Sequence, residues 1–74
     1  MPYVNIKVTG GSQAPTRQQK AELIAGVTDL MVRVLNKNPA STVVVIEEVP
    51  TDNWGLNGKS ATERMGELPS LPEE

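Results

Sequence analysis

The residue with the clearest chemical potential is Pro2, which directly follows Met1. Removal of Met1 would leave the proline ring nitrogen as a free secondary amine. A terminal amine has a pKa of about 8 in model peptides, and burial in an apolar pocket disfavours its charged form. Such an amine would be a base poised near neutral pH, which suits general acid–base catalysis. Met-Pro openings are also common in proteins that make no use of them.

Other residue types exclude most of the usual catalytic and metal sites. The chain has no cysteine and no histidine, so Cys–His and Ser–His pairs and the usual nitrogen and sulfur metal ligands are lacking. Glu47 and Glu48 are adjacent carboxylates, but successive strand residues point to opposite faces, which prevents joint action on one atom. Gly10 and Gly11 are too few to cradle a phosphate. We expect neither a metal nor an organic cofactor.

Charge and hydropathy narrow the choice of partners. The formal net charge is −2, and the seven Lys and Arg residues form no run, which argues against nucleic acid. No stretch approaches the roughly 20 apolar residues of a membrane span. The N-terminus lacks the basic and then apolar pattern of a signal peptide. We expect a cytoplasmic protein.

The first half of the chain predicts a strand and then a helix. Residues 3–8 alternate strictly between apolar and polar, as a half-buried strand does, and the turn-rich residues 9–15 follow as a loop. Thr16 stands three residues before Gln19, the spacing of a capping box, and residues 36–39 end the helix at a proline. One apolar stripe runs along the helix, formed by Leu23, Ile24, Val27, Leu30, Met31, Val34 and Leu35.

The second half predicts another strand, a loop and a polar tail. Residues 42–49 form a β-branched run, which completes a βαβ unit with parallel strands and a right-handed crossover. Residues 51–58 read as a polar loop or small hairpin that carries Trp54. We divide the chain into a domain of residues 1–61 and a tail of residues 62–74, which is mobile or lies on a neighbouring subunit.

Size and topology together predict an oligomer. A 74-residue chain buries only roughly 60% of its unfolded surface, and it has no disulfide or metal to stabilise it. One helix covers one face of a two-stranded sheet and leaves the other face and both edges open. Association with further copies of the chain is the remaining common means of stabilisation.

The order of these segments resembles the 4-oxalocrotonate tautomerase family across about residues 2–60. The opening reads Met-Pro-Tyr-Val-Asn-Ile-Lys-Val, and the helix starts with Pro-Thr-Arg-Gln-Gln-Lys-Ala-Glu-Leu-Ile. Later come Val-Val-Val-Ile-Glu-Glu-Val-Pro and Asn-Trp-Gly-Leu-Asn-Gly-Lys. The helix end, Asp-Leu-Met-Val-Arg-Val-Leu-Asn-Lys-Asn, is similar to the subgroup called DmpI-like.

The resemblance implies an α+β fold in which βαβ subunits pair into a four-stranded sheet with two helices, and then a hexamer as a trimer of dimers. It implies an isomerase of the intramolecular oxidoreductase class, a tautomerase. Pro2 would move a proton on an unsaturated 2-keto or 2-hydroxy acid as general acid and base. Trp54 before Gly55 would form an apolar wall near Pro2 from another subunit; ordinary interface packing is its other interpretation.

Two departures from the family pattern concern substrate binding. Better-known members carry an arginine just before the helix and another in the second strand. This chain has Pro15 at the first location, and Val43 or Val44 at the second. The nearest cations are Arg17 and Lys7, which we name as substrate-binding candidates, together with Lys59. Backbone amides of residues 10–13 are a further candidate for the oxyanion.

Two other functions stay open at this stage. In the first, a cationic Pro2 protonates an unsaturated acid while water adds, as in hydratase or dehalogenase branches of the superfamily, and Glu48 or Asp52 would activate the water. In the second, Met1 is retained and the protein is a non-catalytic binding module. A retained Met1 makes the Pro2 nitrogen an amide without basicity.

Overall fold

The strand and helix order of the chain is that of a βαβ unit followed by a small hairpin. A computed structural model describes residues 1–67. The elements are β1 (Tyr3–Thr9), α1 (Arg17–Leu35), β2 (Val43–Val49), β3 (Gly55–Leu56), β4 (Lys59–Ser60) and α2 (Ala61–Glu67), with short 3₁₀ turns at Gly11–Gln13, Pro39–Ser41 and Thr51–Asn53. The predicted strand, helix and strand are confirmed, each within one residue of its expected bounds.

Strands β1 and β2 are parallel and in register from Tyr3 opposite Val43 to Thr9 opposite Val49. Since parallel neighbours share a face, the alternation of β1 divides the sheet into two faces. One face, toward α1, carries Val4, Ile6, Val8, Val44, Ile46 and Glu48; the other carries Tyr3, Asn5, Lys7, Val43, Val45 and Glu47. Both faces therefore carry apolar side chains, as the sequence predicts for β2.

Helix α1 begins and ends as its sequence predicts. The Thr16 hydroxyl accepts a hydrogen bond from the Gln19 amide nitrogen at 3.1 Å, and the Thr16 amide donates to Gln19 Oε1 at 2.9 Å. This capping box satisfies two amides that the helix leaves unbonded. At the other end Asn36 adopts a left-handed φ of 55°, a conformation that asparagine tolerates better than most residues.

Ion pairs on both faces confirm that Glu47 and Glu48 point in opposite directions. Lys20 of α1 forms an ion pair with Glu48, which ties the helix to β2. On the other face Lys7 Nζ lies 2.6 Å from Glu47 Oε1. The two carboxylates therefore cannot act together, and each has its own cation.

The segment after β2 is a hairpin, one of the two forms that the sequence allows. Strands β3 and β4 pair antiparallel, with Gly55 opposite Ser60 and Leu56 opposite Lys59. Asn57 and Gly58 connect them with φ values of 55° and 82°, as a type I′ turn requires. The hairpin returns the chain to Trp54, whose carbonyl accepts a hydrogen bond from the Ala61 amide at 2.7 Å.

Helix α2 was not expected from the sequence, which we read as a polar tail from Thr62 onward. Its start is a second capping box: the Glu63 amide donates to Ser60 Oγ at 3.1 Å, and the Ser60 amide donates to Glu63 Oε1 at 2.9 Å. The proposal that residues 62–74 are mobile or lie on a neighbour stays a prediction, and residues 68–74 lie outside the described part.

A single chain leaves its apolar residues incompletely covered. Among residues whose burial the structure gives, 1–65, no hydrophobic side chain is fully buried. The exposed fraction is 65% for both Tyr3 and Val34 and 60% for Leu56. These exposed apolar side chains are the surface that the oligomer hypothesis requires.

No helix within residues 1–67 is both long and apolar enough to cross a membrane.

We predict that the purified protein sediments with a mass several times the 8.0 kDa of one chain at micromolar concentration, because association removes exposed apolar surface from water. Analytical ultracentrifugation measures this mass. A folded, stable monomer would contradict both the oligomer and any site shared between subunits.

Candidate active site

Pro2 lies at the very start of the sheet and is held there by its carbonyl. The Pro2 oxygen accepts a hydrogen bond from the Val43 amide at 3.0 Å, which fixes Pro2 beside the first residue of β2. The Pro2 ring is half-buried. The sheet makes no use of the Pro2 nitrogen, because proline has no N–H to donate. Loss of the preceding residue therefore removes no hydrogen bond from the ladder.

Trp54 lies at the opposite end of the sheet and contributes to two cavities within the described residues. The larger cavity, of about 690 Å³, is lined by Lys7, Val8, Thr9, Gln13, Pro15, Gln19, Glu22, Leu23 and Trp54. The smaller, of about 270 Å³, is lined by Thr9, Gln13, Thr51, Trp54, Leu56, Ala61, Arg64 and Met65. Trp54, Thr9 and Gln13 belong to both walls, so the cavities are neighbours.

The larger cavity extends over the outer edge of β1. Lys7, Val8 and Thr9 are consecutive and all line it. Since successive strand residues point to opposite faces, a cavity that touches all three reaches across the edge of the strand. The inner edge of β1 is paired with β2. The cavity is therefore open on the side where another strand could pair.

One chain does not bring Pro2 and Trp54 together. The seven residues of β1 span roughly 23 Å at about 3.3 Å per residue, and Pro2 lines neither cavity around Trp54. The expectation that Trp54 meets a Pro2 nitrogen thus depends entirely on a second subunit. It stays a prediction.

The two predicted substrate-binding cations have different surroundings. Lys7 lines the larger cavity, but its ammonium is paired with Glu47 at 2.6 Å. Hydrogen bonds from Lys7 and Asn5, together with the charge of Lys7, hold the pKa of Glu47 below its ordinary value. Arg17 is the exposed first residue of α1 and lines neither cavity. The subunit thus gives Lys7 a place at the site and Arg17 none.

The remaining polar candidates are Glu48, Asp52 and the backbone amides of residues 10–13, and several of them already have other contacts. Glu48 is paired with Lys20, and Asp52 Oδ1 accepts a hydrogen bond from Thr62 at 2.6 Å; neither lines either of the two cavities around Trp54. In the loop of residues 10–13, the Gly10 amide already donates to the Val49 carbonyl at 2.8 Å.

The cavity walls contain polar side chains that the sequence did not single out as site residues, among them Gln13, Glu22 and Arg64. Glu22 lies outside the apolar stripe of α1, which is the only part of the helix pattern that the sequence analysis used. Arg64 fell in the segment that we read as a tail. The Ser60-x-x-Glu63 spacing was the available signal for a helix there.

Comparison with known proteins identifies relatives over almost the whole described chain. The family model described as tautomerase enzyme matches residues 2–64. Probable tautomerase K2 of Dickeya dadantii is 59% identical over 64 residues, which cover 86% of this chain and 92% of that protein. The 2-hydroxymuconate tautomerase of Pseudomonas putida is 36% identical over 63 residues, covering 85% and 95%.

Solved structures share the fold. DmpI from Helicobacter pylori matches with a TM-score of 0.77 and 53% identity over 84% of this chain and 98% of that one. A heterohexameric 4-oxalocrotonate tautomerase from Chloroflexus aurantiacus J-10-fl matches with a TM-score of 0.76 and 27% identity, covering 85% and 97%. The resemblance to 4-oxalocrotonate tautomerases of the DmpI type is confirmed.

We predict that Lys7→Met raises the pKa of the Glu47 carboxyl toward its ordinary value, because Lys7 is the first cause of its lowering. A depressed folded-state pKa adds stability above the unfolded pKa, and this stability is lost as pH falls through the folded pKa. Between the folded-state and unfolded-state pKa of Glu47, the stability of the wild type rises with pH. This rise should be smaller in Lys7→Met, because its two pKa values lie closer together. Carboxyl NMR titration and unfolding at several pH values measure both effects.

Lys20→Met is the matched control, because Lys20 pairs with Glu48 on the other face of the sheet. It should leave the Glu47 pKa unchanged. An unchanged Glu47 pKa in Lys7→Met would contradict the assigned cause.

Proposed function

Because the chain belongs to the tautomerase family, we propose that it moves a proton on an unsaturated 2-keto or 2-hydroxy acid with the Pro2 amine as general acid and base. The observation that carries this proposal is the position of Pro2. The family match begins at this residue, and the hydrogen bond from the Val43 amide holds it at the start of the sheet. The 2-hydroxymuconate tautomerase relative supports this substrate class.

The proposal requires removal of Met1, and the structure is compatible with it. Met1 is 89% exposed, so a processing enzyme could reach the Met1–Pro2 bond. The Pro2 carbonyl keeps its hydrogen bond to Val43 after cleavage, since the bond involves the other end of the residue. The amine would thus be freed without releasing the strand.

Pairing of two subunits would bring Pro2 to the larger cavity. Within the described residues no strand pairs with the outer edge of β1, and a two-fold axis makes like strands antiparallel across that edge. A pairing centred on Ile6 sets Tyr3 opposite the partner subunit's Thr9. Pro2 of one subunit then lies beside the C-terminal end of β1 of the partner subunit. There the partner's Thr9, the partner's Gln13 and the partner's Trp54 form the wall of the larger cavity.

Such a dimer has the four-stranded sheet and two helices implied by the family resemblance. Exposed apolar residues remain on α1 and on the open sheet face, among them Val34 and Val43. We propose that dimers associate further into a hexamer, as a trimer of dimers. The heterohexamer among the structural relatives supports this assembly.

In the proposed mechanism, the neutral Pro2 nitrogen removes a proton from a carbon next to a carbonyl and returns it elsewhere on the conjugated system. With an enol substrate the same steps run in reverse, so the nitrogen takes the hydroxyl proton and delivers it to carbon. The proton removed is the proton returned, so the reaction balances without an oxidant or a second substrate. In such a dimer, the apolar ring of the partner subunit's Trp54 would disfavour the charged form of the Pro2 amine. The Gln13 carboxamide, which lines both cavities, is a candidate donor to the developing oxyanion.

The charges of the larger cavity favour a substrate with one carboxylate. Lys7 is already paired with Glu47, and Glu22 adds a carboxylate to the wall. A second substrate carboxylate would meet Glu22 without a cation to offset it. A monoacid such as phenylenolpyruvate therefore fits the proposed site better than a diacid such as 2-hydroxymuconate.

We predict that Pro2→Ala lowers the rate of phenylenolpyruvate ketonisation by about tenfold or more, because a primary amine differs from proline in basicity and shape. A precursor with a removable N-terminal extension tests the amine directly. While the extension is present, the amide nitrogen of Pro2 cannot accept a proton, and the loss should approach the roughly 10²–10⁴-fold of a general base.

Cleavage of the same precursor should restore the rate, with an unchanged oligomer mass in both forms. The assignment of Pro2 is wrong if the blocked precursor is as active as the cleaved protein. It is also wrong if the Met1-free protein ketonises the enol no faster than buffer.

We predict that Trp54→Ala lowers activity and raises the pKa of the Pro2 amine, because water in place of the aromatic wall favours the charged form. NMR titration of isotopically labelled Pro2 measures the pKa. Trp54→Phe keeps an apolar ring and should shift the pKa less. An equal pKa in all three proteins would leave Trp54 as ordinary packing.

A further inference from the structure

The smaller cavity contains a cation that the proposed mechanism leaves unused. Arg64 on α2 lines this cavity together with Trp54, which it shares with the larger one. A ligand lying against one side of Trp54 is therefore at the border of the space that Arg64 lines. The two cavities together extend from the outer edge of β1 to α2.

The Arg64 guanidinium has no partner of its own within the part of the chain whose side chains are described. Arg64 is half-buried, and no ion pair or side-chain hydrogen bond links it to another of residues 1–65. Lys7 and Lys20, by contrast, each have a glutamate. A partly desolvated cation gains most from an anion that arrives as a ligand.

Hydrogen bonds hold the backbone of α2 in a fixed position relative to Trp54. The Ala61 amide donates to the Trp54 carbonyl at 2.7 Å. The Thr62 hydroxyl lies 2.6 Å from Asp52 Oδ1 and 2.7 Å from Thr51 Oγ1, so the helix is tied to the 3₁₀ turn before Trp54. These bonds place Arg64 beside the aromatic wall before any ligand binds.

We propose that Arg64 binds the substrate carboxylate beside Trp54 and is the residue that selects acids over neutral enols. This inference rests on the proposed function, because it assumes that the bound anion is the carboxylate of the substrate. A planar guanidinium can hold a carboxylate through two parallel hydrogen bonds.

The single tryptophan allows ligand binding to be measured without turnover. Sorbate, a C6 monocarboxylate, and sorbamide, its neutral amide, are titrated into the Met1-free oligomer while Trp54 fluorescence is recorded. Arg64→Gln should weaken sorbate binding by about tenfold or more, the loss expected of a charge-assisted contact. It should leave sorbamide binding unchanged. Arg64→Lys should recover part of the sorbate affinity.

Arg33→Gln is the matched control, because Arg33 is exposed in the last turn of α1 and lines neither cavity. It should bind both probes as the wild type does. In turnover assays with phenylenolpyruvate, Arg64→Gln should raise KM by a similar factor with kcat little changed. Sedimentation of each variant shows that the oligomer is intact.

Three outcomes would overturn the assignment of Arg64. They are no saturable sorbate binding to the wild type, equal sorbate affinity in wild type and Arg64→Gln, and equal loss of sorbate and sorbamide affinity. The proposed function fails separately, through absent ketonisation by the Met1-free protein. If Arg64→Gln turns over phenylenolpyruvate normally and binds sorbate with unchanged affinity, the proposed tautomerase function holds and Arg64 has no part in it.

Discussion

The structure depends on one constraint, which is that two parallel strands and one long helix cannot cover their own apolar surface. The open sheet face carries Val43 and Val45, and no hydrophobic side chain of residues 1–65 is fully buried. Within residues 1–67 the outer edge of β1 pairs with no other strand. Strand pairing with a second copy would satisfy that edge and cover the surface beside it. We therefore expect the folding of this chain to be coupled to its association with other copies.

The same constraint explains why the candidate site is divided. Pro2 and Trp54 lie at opposite ends of β1, which no rearrangement within a seven-residue strand could reverse. Antiparallel pairing of two copies would bring unlike ends of the strand together. The charges are divided as well. Glu47 and Glu48 each pair with a lysine on their own face, whereas within residues 1–65 no carboxylate pairs with Arg64, a half-buried cation beside Trp54.

The sequence predicted those parts of the fold that local patterns determine. Thr16 and Gln19 carry the capping signal of α1, and the alternation of residues 3–8 gives β1 its two faces. Helix α2 was missed because no apolar stripe follows its capping box. Arg17 was chosen for its nearness in sequence to the place of a family arginine, but it begins α1 outside both cavities. The predicted contact between Pro2 and Trp54 would depend on the symmetry of an oligomer, which the pattern of one chain does not encode.

If one subunit's Pro2 works against another subunit's Trp54, mixing two impaired variants tests the shared site most directly, because mixed dimers regain intact sites. Pro2→Ala and Trp54→Ala proteins are unfolded together in equal amounts, refolded and assayed with phenylenolpyruvate. Random pairing makes about half of the dimers mixed, each with one wild-type site, so about a quarter of wild-type activity should return. Activity that stays at the mean of the two separate variants would contradict a site shared between subunits.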